Sequence, residues 1–320
     1  MHVHKNVLEM IGKTPMLKTM HLDTGLCDLF IKLELVNPGG SIKDRIALSM
    51  ITEAERLGLI HQGDTLVEAT AGNTGVGLAL VARQKGYSLT IVMPDKMSVE
   101  KIFCLRAMGA KVILTRSDVT KGHPEYYQDL AEYIAKESDG FYVNQFSNKA
   151  NINAHYTTTG PEIWQQMGGK VDAFVCGVGT GGTLTGAGGF LREKNPDIEI
   201  VLADPMGSIL APLVKTGKKP EEIGSWFVEG IGEDFVPDNC SLDLVTSAFS
   251  ITDKESFGAA RQLLFDEGIM AGSSTGTLIA ASLKYCARQK TPKTVVTFAC
   301  DTGNRYLSKV YNDDWMQQHL

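Results

Sequence analysis

Strand-like runs of Val, Ile and Leu alternate with helix-like amphipathic stretches along most of this chain, and no other feature narrows its fold as much. Leu66-Val67-Glu68-Ala69-Thr70 reads as a strand and Gly75 to Arg83 as a helix. Leu89 to Pro94 is the next strand, Val99 to Met108 the next helix, and Lys111 to Thr115 a third strand. The alternation resumes at Val171 to Cys176, passes a helix around Phe190-Leu191 and returns at Ile198 to Leu202. Strands this uniformly apolar have no face to give to water, so they belong to a parallel sheet covered by helices on both sides. Two such blocks flank residue 150, which predicts two α/β domains for a chain of 320 residues. Ligands in such folds sit where the carboxyl ends of strands turn into helices, and the glycines concentrate at those turns.

Composition removes several function classes. A net charge of -6 with no Lys/Arg block argues against nucleic acid or an anionic membrane as a partner. Residues from Met1 to Ile11 carry no apolar signal core, and runs such as Leu78 to Ala82 are too short to span a bilayer. The six cysteines are scattered without a C-x-x-C pair, which suits a reducing cytoplasm better than a disulfide framework or a zinc site. Seven histidines show no metal-ligand spacing, so no metal is expected.

Four loops concentrate the chemistry, and each has a plain structural alternative. Asn37-Pro38-Gly39-Gly40-Ser41-Ile42-Lys43-Asp44-Arg45 is a tight turn in which Ser41 and Asp44 have capping-box spacing. Lys43 is then either a surface charge or, if desolvated in a cleft, an amine able to form a Schiff base. Glu68-Ala69-Thr70-Ala71-Gly72-Asn73-Thr74-Gly75 runs from strand to helix, offering an anion-binding helix start or merely an Asn/Thr cap. Gly177-Val178-Gly179-Thr180-Gly181-Gly182-Thr183 lets successive backbone amides converge on a phosphate, with hydroxyls from Thr180 and Thr183. The same loop matches the dinucleotide fingerprint, with Asp204 where a ribose-binding acid would stand, so a nicotinamide-dependent oxidoreductase stays open. Ala271-Gly272-Ser273-Ser274-Thr275-Gly276 is the fourth loop, alternatively a serine cap.

Taken together and in order, the four loops resemble those of the fold-type II pyridoxal-phosphate enzymes of the cystathionine β-synthase and cysteine synthase group, over Asn6 to about Trp315. The resemblance implies a tryptophan-synthase-β-like architecture of two three-layer α/β/α domains with the cofactor in the cleft between them. A smaller mobile domain would span residues 40–145, and a larger one residues 1–39 and 146–320. It implies pyridoxal 5′-phosphate as cofactor, Lys43 as the Schiff-base lysine and Asn73 at the pyridine 3′-oxygen. Gly179, Thr180, Gly181, Gly182 and Thr183 would form the phosphate cup, and Ser274 would face the pyridine nitrogen. Thr70, Ala71, Gly72 and Thr74 with Gln145 would clamp the substrate carboxylate. A homodimer with small-molecule amino-acid and thiol substrates completes the expectation.

Within the group the motifs divide. Gln145-Phe146-Ser147-Asn148 and Thr158-Thr159-Gly160-Pro161-Glu162-Ile163-Trp164 are similar to cysteine synthases. Asp204-Pro205-x-Gly207-Ser208-Ile209-Leu210, Glu229-Gly230-Ile231-Gly232-Glu233-Asp234-Phe235 and the terminal Asp301-x-x-Asn304-Arg305-Tyr306-Leu307 to Asp314-Trp315-Met316 are similar to cystathionine β-synthases, and these matches are longer. The expected reaction is therefore condensation of serine, or O-acetylserine, with homocysteine through an aminoacrylate, with Glu233 binding the homocysteine amino group. Cysteine synthesis from O-acetylserine and sulfide is the alternative, and a catalytically silent binding protein is a third class. Ala71 and Phe146 depart from the serine and tyrosine expected there. Neither a haem-binding extension nor a C-terminal regulatory tandem is expected.

Overall fold

The computed structural model describes residues 3–70, 72–95, 97, 99–120 and 122–320. The chain opens with a 3-10 turn over Val7–Met10, capped by the Asn6 side chain, and then two strands, β1 (Met16–Lys18) and β2 (Asp28–Leu33). A first α/β block follows: α1 (Lys43–Arg56), β3 (Thr65–Ala69), α2 (Asn73–Lys85), β4 (Ser88–Pro94), α3 (Val99–Ala107), β5 (Lys111–Thr115), α4 (Tyr127–Glu137), β6 (Phe141–Tyr142) and α5 (Lys149–Ala154). The second block runs α6 (Gly160–Gln166), β7 (Ala173–Cys176), α7 (Gly189–Lys194), β8 (Glu199–Pro205), α8 (Leu210–Thr216), β9 (Ser247–Ile251), α9 (Asp253–Glu267), α10 (Ser273–Cys286), β10 (Thr294–Ala299) and α11 (Asp313–His319). Wide π-turns over His155–Thr159 and Leu184–Gly188 lead into α6 and α7.

Contacts divide the chain into two compact units, residues 1–11 with 37–154 and residues 12–36 with 155–320. In the first, four parallel strands stand in the order β5-β4-β3-β6. Ile46, Met50 and Ile51 of α1 and Leu78 and Val81 of α2 fill one face against Leu66, Ile91 and Met93. Ala131 and Ala135 of α4 cover the other against Val67, Ala69 and Val92. Both faces of β3 and β4 are thus dry, which is why their sequences lack alternation. In the second unit the order is β1-β2-β10-β7-β8-β9, parallel except for β1 on β2. The apolar helix α10 packs on α9 and on β10, β8 and β9.

The unit boundaries depart from those expected. Residues 146–154 belong with the first unit because α5 packs on α1 and the Ser49 hydroxyl donates to the Ala150 carbonyl at 2.8 Å. Leu8 packs into the same core, taking residues 1–11 with it, and residues 37–39 follow for the sake of the Gly39–Asp44 contact described below. Residues 12–36 join the second unit because β2 pairs in parallel with β10, Asp28 opposite Thr294 through Leu33 opposite Ala299. None of the described helices is long and apolar enough to cross a membrane.

Candidate functional site

Lys43 opens α1. The expected capping box does not form: the Ser41 hydroxyl accepts from the Lys43 amide at 3.2 Å, while the fully buried Asp44 carboxylate accepts from the Gly39 amide at 2.5 Å. Gly39 is required there, because a β-carbon would strike that carboxylate. The turn before α1 is thereby pinned from within the helix, and Lys43 is held half-buried at its first position. Close packing of α1 on α2 needs Gly77, whose β-carbon would lie 3.0 Å from the Lys43 carbonyl oxygen.

The strand β3 ends at Ala69, and the chain turns through Thr70 and Gly72 into α2. Gly72 is the cap residue and no side chain caps this helix, so Asn73 is its first residue rather than its cap. Thr70 Oγ1 accepts from the Gly72 amide at 3.2 Å. Gln145 joins the same corner from the far side of β6. Its Oε1 accepts from the Thr74 hydroxyl at 2.6 Å, and its Nε2 donates to the Ala69 carbonyl at 3.2 Å. Thr70 and Gly72 are thus joined at this turn, and Thr74 and Gln145 are joined beside it, whereas Ala71 lies outside the described residues.

One member of this corner escaped the sequence analysis. Glu68 is fully buried, its Oε1 accepting from the Ala69 amide at 2.9 Å and its Oε2 from the Gln145 amide at 3.2 Å. Burial pushes its pKa up from the usual 4.5 to about 8, against the opposing pull of those hydrogen bonds. A carboxyl in a doubly covered parallel strand was the available signal, since buried acids are rare without a purpose. The shift makes a stability prediction. Between about pH 4.5 and 8 the folded state holds a proton here that the unfolded chain gives up, so this group's contribution is complete below pH 4.5 and is lost as pH rises through 8. Glu68→Gln should remove a decline on the order of a few kcal/mol, read as a smaller difference in melting temperature between pH 5 and pH 8.

In the second unit, β7 runs into the glycine-rich loop. The Thr185 amide donates to the Gly181 carbonyl at 3.0 Å, so the amides of residues 182–184 precede the first amide that donates within the helix. Gly181 has φ +87°, and Cys240 stands where its β-carbon would be. A β-carbon on Gly179 would lie 2.5 Å from the Gly230 carbonyl oxygen. These glycines therefore answer to close packing as well as to any ligand. The loop is stitched to its neighbours: the Gly232 amide donates to the Val178 carbonyl at 2.8 Å, and the Thr185 hydroxyl bridges the Asn239 carbonyl and the Ser241 amide. Backbone amides at a helix start with Thr180 and Thr183 in the same loop, and no side chain at 179, 181 or 182, suit a phosphate dianion.

His155, which carried no sequence signal, is buried beside this loop, its Nε2 3.2 Å from the Thr183 hydroxyl and its Nδ1 2.9 Å from that of Thr159. The two π-turns pack on each other there. Ser273 and Ser274 are the first residues of α10, capped by Gly272 and by no side chain. The Ser273 hydroxyl accepts from the Glu229 amide at 3.0 Å, and Ser274 is buried next to it. Asp301 supports the turn, its carbonyl accepting from the Gly272 amide and its carboxylate from the Tyr306 hydroxyl at 2.7 Å. Glu233 is half-buried in a segment tied through its backbone: its amide donates to the Ser208 hydroxyl at 3.1 Å, and its carbonyl accepts from the Ile209 amide at 3.0 Å.

A profile for pyridoxal-phosphate dependent enzymes matches residues 7–301. The chain belongs to that family. Its members among characterised proteins include a cystathionine beta-synthase of Apis mellifera, 41% identical over 316 residues that cover 98% of this chain and 62% of the relative. A cysteine synthase of Staphylococcus aureus is 42% identical over 307 residues, 95% of each chain. The chain thus spans about six-tenths of the length of the cystathionine beta-synthases it matches. Among solved structures, a hydrogen sulfide-producing enzyme from Fusobacterium nucleatum superposes with a TM-score of 0.87 at 39% identity, covering 95% of this chain and all of that one. An O-ureido-L-serine synthase gives 0.89 at 32% identity, covering 99% of this chain and all of its own. Dependence on pyridoxal phosphate follows from the family, and the dinucleotide reading of the glycine loop is set aside with it.

Proposed function

We propose that the chain is a β-replacement enzyme of the cystathionine β-synthase type, joining serine or O-acetylserine to homocysteine. The observation that carries this reading is the identity of 41% with a cystathionine beta-synthase across 98% of the chain. It is supported by the hydrogen bonds of the Ser208 hydroxyl to the Glu233 amide and carbonyl, which join two of the three segments that resemble that subfamily.

Bound pyridoxal phosphate supplies the electron sink for a charge left at the substrate α-carbon. The roles of the chain's own residues follow from their chemistry. Lys43 would anchor the cofactor, take the α-proton and pass it to a departing hydroxide, then take the proton of the incoming thiol and return it to the α-carbon. The amides of the loop from Gly179 to Thr183, with the hydroxyls of Thr180 and Thr183, hold the phosphate. Asn73 donates to the ring 3′-oxygen. Ser274, a neutral partner for the pyridine nitrogen, keeps that nitrogen unprotonated and the sink weak, which favours loss of a β-substituent over transamination. Thr70, Gly72, Thr74 and Gln145 receive the α-carboxylate, joined by the Ala71 amide. Glu233 binds the amino group of homocysteine. A cytoplasmic homodimer completes the proposal.

Cysteine synthesis from O-acetylserine and sulfide is the second reading, favoured by the match to the Staphylococcus aureus enzyme over 95% of both chains. Supplying both donors with both thiols and comparing kcat/KM separates the two. Serine or O-acetylserine with homocysteine should be the most efficient pairing, and Glu233→Gln should raise the homocysteine KM alone. Higher efficiency with O-acetylserine and sulfide would replace the first reading by the second.

A further inference from the structure

We infer that Glu68 is a positioning residue for the amino-acid substrate: by fastening Gln145 where β6 leaves the sheet, it fixes the donor set that receives the α-carboxylate. The inference rests on the reading of Gln145 and the turn from Thr70 to Thr74 as the carboxylate clamp.

The geometry begins at the sheet. β6 pairs with β3 through Phe141 and Tyr142, and the Val143 amide still donates to the Val67 carbonyl at 3.0 Å. Asn144 then adopts φ +51°, a left-handed conformation that asparagine tolerates better than most residues, and turns the chain out of the ladder. The next strand carbonyl in register, that of Ala69, accepts instead from the Gln145 side-chain amide. Glu68 takes that place, one carboxyl oxygen on the Gln145 amide and the other on the Ala69 amide. A single buried side chain therefore clips together the two strand ends that face each other across the turn. Asn151 completes the hold by donating to the Gln145 carbonyl at 2.8 Å.

With its backbone fastened, the Gln145 side chain is left one orientation. Its amide nitrogen lies on the Ala69 carbonyl and its oxygen on the Thr74 hydroxyl, and the reversed amide would set its oxygen against the Ala69 carbonyl oxygen. Removing one acceptor of the clip loosens the residue that presents the amide, not the turn itself. A carboxylate offers two full acceptor oxygens and a protonated carboxyl one plus a weaker hydroxyl oxygen, whereas a glutamine amide offers one acceptor and turns an N–H toward the other backbone amide. Glu68→Gln thus keeps the volume and breaks half of the clip.

The test compares Glu68→Gln and Gln145→Ala with the unaltered holoenzyme. Amino-acid binding is read from the change in cofactor absorbance on titration with a non-reacting amino acid, and turnover with donor and thiol varied separately. Glu68→Gln should weaken amino-acid binding about 10-fold, raise the donor KM by a similar factor, and leave the thiol KM and cofactor content unchanged. In the Gln145→Ala background the same substitution should add nothing. Equal losses in both KM values, or binding unaltered in a folded Glu68→Gln protein, would overturn the inference. If Gln145→Ala itself binds the amino acid normally, the clamp reading fails first. Hydrogen exchange in the unaltered protein gives a check that needs no variant. The Gln145 amide should be protected like the β3 amides, and exchange at the rate of an open loop would show that the clip is not there.

Discussion

Lys43→Ala is expected to cost about 10³-fold or more in turnover while leaving the fold in place. The lysine anchors the cofactor and moves two protons, so its loss removes several steps at once, and such losses do not add. Its structural role is small by comparison. The side chain is half-buried at the first helical position, the turn before it is held by Ser41, Asp44 and Gly39, and alanine is the best helix former. The melting temperature of the apoprotein should therefore barely move. The unaltered protein should be yellow, and borohydride should fix the cofactor's mass on the peptide containing Lys43. Borohydride labelling of another lysine, or full turnover by the alanine variant, would end the assignment.

Gly181→Ala should have the second largest effect, on stability as well as on cofactor binding. The residue sits at φ +87°, and an added β-carbon would lie 2.6 Å from the Cys240 β-carbon and 2.7 Å from its backbone nitrogen. Backbone atoms cannot swing aside as a side-chain tip can. Strain from the left-handed conformation and overpacking together should cost about 2–4 kcal/mol, read by thermal or denaturant unfolding of the apoprotein. The shift also moves the start of the helix that follows the loop, so pyridoxal-phosphate affinity should fall at least about tenfold. Gly258→Ala provides the contrast. That glycine lies inside α9 with nothing within 4 Å of an added β-carbon, so the variant should be as stable or slightly more so.

Much of this was legible in the chain before folding. Uniformly apolar strands announced parallel sheets covered on both faces, and α1, α2, α4 and α10 supply the cover. The four loops were visible because turns into helices demand glycines and small polar residues. Their local geometry was less so. Gly72 and Gly272 cap α2 and α10, which leaves Asn73, Ser273 and Ser274 as helix residues rather than caps. The glycines at 177, 179 and 181 read more as a ligand's requirement than as a structural turn, yet Ile231, the Gly230 carbonyl and Cys240 press on them from segments 50 or so residues away. No local pattern reports a neighbour that distant in sequence.

The amino-acid order by itself determined the α/β class, the membership of a pyridoxal-phosphate family, and Lys43, Asn73, the glycine loop and Ser274 as the residues to examine. The class depends on periodicity, and the rest on the resemblance of four short loops to those of that family; both signals are local. Only the tertiary structure decided that residues 12–36 pair with β10, that residues 146–154 pack with α1, and that His155 stands against Thr183. It alone joined Glu68 to Gln145, 77 residues apart. Each of these is a hydrogen bond or a packing contact made between distant segments, and it exists only after burial has removed the water that would otherwise satisfy both partners.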